Sequence, residues 1–472
     1  MAARGLLSTC EWHQLLTAAA ATFGGFPVGL ALGYTSSALP QLRDSPLHVT
    51  DQQGSLVGSM VPLGALLAAP LAGNAMQALG RRSALVLVSL PAVLGWLMVT
   101  YAGSLTVLLL GRLLTGAAVG WTTVVAPTYV AEVTTASLRG PSGAVFELQL
   151  NMGVLLSYVV GKYADWRLLA ALSGAVSALW LLLVTLSCQS PLWLAQRGRL
   201  AEARATLRWL RGELADVESE LAALGTGRAT GKAALSELRR PEYRRPLALT
   251  LLVVIMQQGC GVNIITFYAA DIFEEAGGAM DSSTAAIYSG LTKVCTTALG
   301  VAAVHSRGRK PLLVASSVIT GASLVVLGVF FRLKDTGQDV SAIEWLPLTS
   351  VVVFLLGFGI GFGPITYLYM GEILPPDVKN LASGIAIFFN WGTSFLTTLT
   401  FEPLEDAISP AGTFWMYACL CLIGAVILQL TLVETRGKTL EQIQQHFDTG
   451  KDVEPRDASS QDSRGSDGAL KG

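Results

Sequence analysis

The chain reads as an all-α membrane protein of twelve transmembrane helices, set out as two six-helix halves with a cytoplasmic helical linker. Three observations predict this. Of 472 residues, 52% are hydrophobic and only 14% charged, against about a quarter charged in soluble domains. The mean hydropathy is +0.53. Uncharged runs recur at Ser83–Gly111, Leu168–Cys188, Leu312–Phe331 and Ala411–Val433, each at least the roughly 20 residues that cross a bilayer. A soluble protein of this size needs a charged shell, which is missing. The apolar content excludes disorder over most of the chain. A net charge of −1 gives no case for nucleic acid.

Residues 1–14 form a short cytoplasmic N-terminus, with Arg4 and Glu11 and no cleavable signal pattern. The N-terminal half, 15–188, holds spans at about 15–38, 54–79, 83–103, 106–131, 142–162 and 166–188. Segment 189–245 is a solvated linker. Within it Leu200–Leu224 reads as one helical stretch, with Glu202, Arg204, Arg208, Glu213, Asp216 and Glu218 on exposed faces. The C-terminal half, 246–433, holds spans at about 246–274, 283–304, 312–332, 346–374, 380–402 and 411–433. The tail, 434–472, is polar and expected to be disordered from about 448. Five of the six Cys fall in or at the ends of spans and read as small packing residues.

Charge sets the orientation. With both termini and the linker on one side, that side collects 25 of the 32 Lys and Arg. Basic loops stay cytoplasmic, so both termini are expected in the cytosol. Arg112 and Lys293 are left at membrane depth. No Asn-x-Ser/Thr acceptor occurs, so no N-linked glycan is expected. Glu11-x-x-x-Leu15-Leu16 fits an acidic dileucine sorting pattern, though its leucines begin the first span. Plasma membrane and endosomal or lysosomal membrane both stay open.

The halves echo each other. Gly80-Arg81-Arg82 follows the second span and Gly308-Arg309-Lys310 the eighth. The fourth span ends in Pro127, Tyr129 and Glu132, with Arg139 seven residues on; the tenth carries Pro364, Tyr367 and Glu372, with Lys379 seven residues on. Parallel repeats of six spans are a transporter design, with substrate between the halves near the midplane.

These residues carry a resemblance. PTYVAEVTTASLRG (127–140), QQGCGVN (257–263), GFGPITYLYMGEILP (361–375), Asn390-Trp391 and ETRGKTLEQI (434–443), with the two Gly-Arg motifs and Ser190-Pro191-x-Trp193-Leu194, resemble the sugar porter family of the major facilitator superfamily over about 15–447. GYTSSALPQL (33–42) looks most like animal facilitative glucose transporters of the intracellular-retention type and arthropod trehalose transporters. The resemblance implies the twelve-helix major facilitator fold, rocker-switch alternating access and a monosaccharide or small disaccharide substrate.

A sugar offers many hydroxyls and two weakly apolar ring faces, so its site needs neutral donors and acceptors beside an aromatic wall. Gln257, Gln258 and Asn263 supply the first, and their spacing places the amides near one helix face. Tyr367, where the family usually has Trp, and Trp391 are the candidate walls. Tyr268 belongs with the outer lid. Pro364, among Gly357, Gly359, Gly361 and Gly363, makes the tenth span a deformable gate. At the cytoplasmic end Arg81, Arg82, Glu132, Arg139, Arg309, Lys310, Glu372, Lys379 and Glu434 form a latch expected to pair across the halves when that end closes. Gln189-Ser190-Pro191-Leu192 replaces a Glu and an Arg of the family pattern, which weakens the latch. Glu147 stands where the family's sugar-binding Gln is usual, and Lys293 where a polar residue is common. Two buried charges of opposite sign are cheaper together than apart, so a Glu147–Lys293 pair across the sugar site is expected.

No enzyme chemistry is indicated. His13, His48, His305 and His446 show no metal spacing. No Walker A motif is present, and no cofactor is expected. The partners are a small-molecule sugar and the lipid bilayer, with a monomer sufficient for transport. Three functions stay open: facilitated sugar transport, proton-coupled sugar symport, and a transport-deficient sugar sensor. Proton-coupled relatives resemble one another in an acid after Gly-Tyr in the first span. Here Gly33-Tyr34 is followed by Thr35, which favours the uniporter.

Overall fold

The computed structural model describes residues 9–212, 216–226, 236–278, 280–375, 377–438, 442–444 and 447, with backbone alone described at 9–11, 136–137, 139–141, 143, 223–226 and 301–306. The tail expected to be disordered from about 448 lies outside the described residues, as do Glu213 and the side chain of Arg139. The described residues are helical throughout their ordered elements. Among them, ten helical stretches are long and apolar enough to cross a membrane. The last, Lys379–Thr431, has 53 residues, enough for about 80 Å of straight helix. It folds back as two crossings at Ser409, whose φ is 70°. A 25-residue helix, Ser282–Ser306, completes twelve.

The first span is α1 (Thr9–Thr22) followed by α2 (Gly25–Asp44), longer than the sequence suggests because Pro40 sits inside the helix without ending it. Spans two to six are α3 (Asp51–Leu79), α4 (Arg81–Thr100), α5 (Leu105–Val133), α6 (Ala136–Tyr163) and α7 (Trp166–Thr185). Their starts are written in the sequence. Thr50 and Gln53 form a capping box on α3, Ser104 caps α5 and Asp165 caps α7, each satisfying amide groups that a helix start leaves open. Between spans, small residues permit contact of backbones. A Cβ on Gly116 of α5 would sit 2.3 Å from the Val61 carbonyl oxygen of α3, and one on Gly29 of α2 would overlap the Leu150 carbonyl of α6.

The linker carries α8 (Pro191–Gln196), α9 (Leu200–Arg211) and α10 (Val217–Thr226). The single stretch expected at Leu200–Leu224 is therefore two helices, α9 ending at Gly212. They share a small core of Trp193, Leu194, Ala203, Leu207, Val217 and Leu221. The linker is also docked rather than merely solvated. His13 of α1 stacks on Trp209 at 4.5 Å, and Gln14 donates to the Leu210 carbonyl at 3.1 Å.

The second half is more broken. Its seventh span is three helices, α11 (Pro241–Gly259), α12 (Val262–Phe267) and α13 (Ala269–Ala276). The eighth is α14 (Ser282–Ser306) and the ninth α15 (Arg309–Asp335). The tenth is α16 (Leu346–Ile360) and α17 (Phe362–Ile373), and α18 (Lys379–Thr431) holds the last two. One large apolar core runs through both halves, from Val28 and Val57 to Phe354 and Phe401. We call the end beside α8–α10 the linker end and the opposite end the far end.

Candidate functional site

The amides expected to line one helix face are brought together by a break instead. The chain leaves α11, crosses Gly261 at φ +87° and re-enters α12. That left-handed turn suits Gly, which has no Cβ to clash. It brings Asn263 Nδ2 to 2.6 Å from Gln258 Oε1 and 2.6 Å from Ser394 Oγ of α18. Gln257 faces a second break. Its Nε2 donates to the Phe362 carbonyl at 2.8 Å, and its Oε1 accepts from Asn390 Nδ2 at 3.1 Å.

Phe362 follows the interruption of the tenth span at Gly361 (φ −128°, ψ −77°). Its amide donates to Ser316 Oγ at 3.1 Å, so backbone groups released by the break find side-chain partners. Pro364 lies in the first turn of α17, where a helix needs no N–H from it. The tenth span is thus a broken helix with its Pro at a new start, rather than one deformable helix.

Between the halves sit the two unexpected charges. Lys293 of α14 donates to Thr266 Oγ1 at 2.7 Å. Glu147 of α6 accepts from Asn151 Nδ2 at 3.4 Å. The two feel each other's charge, but they form no ion pair within 4.0 Å. Helix register explains this correction. Helices α6 and α14 run antiparallel, with Asn151 opposite Thr297 and Tyr158 opposite Gly290. Glu147 then falls opposite position 301, eight residues from Lys293, or about 12 Å along the axis. What crosses here is neutral: Asn151 Nδ2 donates to Thr297 Oγ1 at 2.8 Å. Thr297 in turn donates to the Lys293 carbonyl at 2.8 Å.

The two candidate walls differ. Tyr367 is 47% exposed and lies within electrostatic reach of Glu147 and beside Asn390, so it faces the gap between the halves. Trp391 is buried in the apolar core, next to Gly392, which faces Leu66 of α3. Tyr268 is fully buried toward the far end. Its hydroxyl donates to the Thr398 carbonyl at 3.1 Å and packs over Gly58 of the other half, and its ring lies 4.9 Å from Phe401.

Arg112 of α5 is also fully buried. It donates to the Ala31 carbonyl at 3.0 Å and Thr35 Oγ1 at 2.8 Å, and lies 5.0 Å over the Tyr34 ring. Its partners are neutral; among the described residues no carboxylate lies within 4.0 Å of it.

At the linker end, the residues read as a latch find partners inside their own half. Arg81 binds Glu132 at 2.8 Å, and Glu132 accepts from the Ser190 hydroxyl. Arg309 binds Glu372 at 2.8 Å, and Glu372 accepts from Thr435 Oγ1 at 2.6 Å. Glu434 accepts from the backbone amides of Arg309 and Lys310 at 2.9 and 3.1 Å. Arg82 donates to the Thr185 carbonyl, and Lys379 Nζ to the Gly371 carbonyl at 2.6 Å. Among the described residues no bond joins the latch across the halves in this conformation; the side chain of Arg139 lies outside them.

The cross-half bonds gather at the far end, which sequence reading passed over. Arg43 of α2 contacts Asp271 of α13 and lies 3.5 Å from Glu402 of α18. Ser55 of α3 donates to Glu402 Oε2 at 3.0 Å. Tyr158 donates to the Thr266 carbonyl at 2.5 Å, and Ser36 Oγ accepts from the Ala270 amide at 3.0 Å. Lys162 binds Asp281 at 3.1 Å. Hydrogen bonds from Thr284 and Lys162 hold the Asp281 carboxyl below its usual range. The halves are therefore clasped at the far end. Asn390, Ser394, Asn151 and Thr297 were also missed as site residues; each is a polar residue within an apolar span, which is the signal that could have found them.

The chain matches the family model for sugar (and other) transporters over residues 17–447. It is 37% identical over 441 residues to the facilitated trehalose transporter Tret1 of Aedes aegypti, covering 92% of this chain and 55% of that protein. It is 36% identical over 446 residues to Tret1 of Culex quinquefasciatus, covering 93% and 86%. The chain thus spans about half the length of the first relative. The inward open conformation of the xylose transporter XylE from E. coli superposes with a TM-score of 0.78 at 20% identity, covering 92% of this chain and 99% of that one. That likeness is one of fold. The chain is a multi-span membrane protein of the sugar (and other) transporter family, with the major facilitator fold.

Proposed function

We propose that the chain carries out facilitative transport of a sugar, a hexose such as glucose or the disaccharide trehalose, by alternating access. The observation that carries the uniport reading is Arg112. It is buried on neutral partners, with Thr35 Oγ1 at 2.8 Å, so the first-span position holds no carboxyl group to bind and release a proton. The sugar reading is supported by the neutral cluster of Gln257, Gln258, Asn263, Asn390 and Ser394 beside the exposed Tyr367. Such groups exchange hydrogen bonds with hydroxyls at little net cost. The mosquito relatives' names point the same way.

In this reading the linker end is cytosolic, with both termini on that side, as the excess of Lys and Arg there suggests. The far-end clasp then closes the outside and the gap faces the cytosol. Sugar enters beside Tyr367, displaces the amide-to-amide bonds and draws the halves together. Arg81, Arg82, Glu132, Arg139, Arg309, Lys310, Glu372, Lys379 and Glu434 are proposed to bind across the halves in the opposite state, when the far end opens. Tyr268 and the break at Gly361 and Pro364 serve as moving parts. The membrane is plasma or endosomal/lysosomal, and one copy suffices.

A proton-coupled symporter is the second reading, and Glu147 between the halves is the observation that favours it. Purified protein in liposomes, given radiolabelled glucose, fructose, galactose and trehalose with and without an imposed pH gradient, tests both. The uniport reading expects equilibration that ignores the gradient. Accumulation that a protonophore abolishes would overturn it, and absence of flux for every sugar would overturn the transport reading.

A further inference from the structure

We infer that Arg43 is a positioning residue for alternating access: it holds the far end shut and sets how the protein divides between its two open states. Arg43 stands at the end of α2 and its guanidinium meets three carboxylates. Asp51, at 3.0 Å, belongs to its own half; Asp271 and Glu402 belong to the other. Those two cross-half partners have side chains only 16% and 9% exposed. Their attraction to Arg43 is therefore weakly screened, unlike that of the Lys162–Asp281 pair, whose Asp281 side chain is 58% exposed.

The cluster is unbalanced, and the imbalance gives Arg43 its leverage. Asp271 Oδ2 and Glu402 Oε1 are buried with no hydrogen-bond partner. Arg43 is the cation between these two acids. Without it they face one another with like charge in a poorly hydrated place, and parting the halves is what relieves them. With it they attract a single guanidinium from the other half. Asp51 keeps a partner in reach when the halves separate, so opening does not strand the arginine. Ser55, bound to Glu402, reinforces the same contact and is neutral.

The inference rests on the alternating-access reading but not on which sugar moves, so its test uses no sugar. Ala286 lines a cavity of about 80 Å³ between α2, α6, α13 and α14 at the far end and is 2% exposed. Ala286→Cys, labelled from the far side with a membrane-impermeant maleimide, reports far-end opening against a parent lacking that cysteine. Tyr367→Cys, labelled from the linker side, reports the other end. Arg43→Gln is expected to raise far-end labelling about ten-fold and to lower linker-end labelling, because a population shift is reciprocal. Arg43→Lys should lie between the two. Adding Asp271→Asn and Glu402→Gln to Arg43→Gln should return far-end labelling toward the rate of Ala286→Cys alone. Unchanged labelling in Arg43→Gln, a rise at both ends as in a loosened fold, or a triple variant labelled as fast as Arg43→Gln alone would overturn the inference.

Discussion

In the first half, α3 to α7 each run without interruption, and their glycines serve close packing, as Gly64 and Gly116 do between α3 and α5. In the second half the seventh span breaks at Gly261 and Tyr268 and the tenth at Gly361. Apart from the interruption between α1 and α2, the first half is a stiff frame, and the second carries the turns. The site follows that division. Gln257, Gln258, Asn263, Asn390 and Ser394 lie in the second half and beside its breaks, while the first half offers Asn151 and Glu147 from an unbroken α6. A broken helix can present amides at angles a regular one does not allow, and it also supplies movable parts.

The sharpest way to break this contrast is a pair of glycine substitutions. Gly116→Val adds a branched side chain where even a Cβ would lie 2.3 Å from a backbone oxygen. Overpacking of that kind costs about 3 kcal/mol, and the frame should be lost: no monodisperse peak in detergent and no cooperative melt. Gly261→Ala puts a methyl group into a φ of +87°, with its nearest foreign atom 3.6 Å away on Tyr417. The strain is about 1 kcal/mol. That variant should purify normally with a slightly lower melting temperature and slowed transport. Equal damage from both would erase the distinction between frame and turn.

A second pair asks whether the turns carry the site. Asn263→Ala and Gln257→Leu each remove an amide beside a break. Each should weaken sugar binding by about 1–2 kcal/mol, roughly ten-fold, with the fold intact. Equilibrium binding of the sugar identified by the flux panel checks this. Unchanged affinity in both variants would remove the amides from the site.

Some of this was plain from residues and some was not, for physical reasons. Twelve crossings were legible because hydrocarbon thickness demands about 20 apolar residues each time, and Leu312–Phe331 records that directly. The breaks were not legible. Gly261 and Gly361 resemble the many packing glycines, and only a φ distinguishes a turn from a contact. Glu147 and Lys293 stood out in the sequence as charges within apolar spans, but their separation depends on the register of α6 against α14. The latch residues were named from their motifs, yet Glu132 with Arg81 and Glu372 with Arg309 pair within a half. Nothing in the sequence singles out Arg43, because its cross-half partners are 228 and 359 residues away in the chain.

The smallest prediction concerns a single asymmetry between the two linker-end networks. Each half places a side chain from just after its last span on the start of a helix. In the first half Gln189 Oε1 accepts from the Arg82 amide at 3.0 Å, at the start of α4. In the second, Glu434 accepts from the Arg309 and Lys310 amides, at the start of α15. The positions correspond, but one cap is neutral and the other is anionic. A carboxylate at a helix N-terminus gains from the macrodipole and from charge-assisted bonds, about 0.5 kcal/mol when partly exposed. Gln189→Glu should gain most of that. It gives up amide donation to the Leu79 carbonyl at 3.4 Å and Ser83 Oγ at 3.3 Å; the first bond is long, and the Ser83 hydroxyl can turn to donate instead. Glu434→Gln should lose a similar amount or somewhat more, since that carboxylate also accepts from the Arg436 amide at 2.9 Å. Thermal melts of the two variants should therefore move in opposite directions by a degree or two. If Gln189→Glu melts lower than the parent, donation by the amide outweighs the charge, and the two networks differ in chemistry as well as in strength.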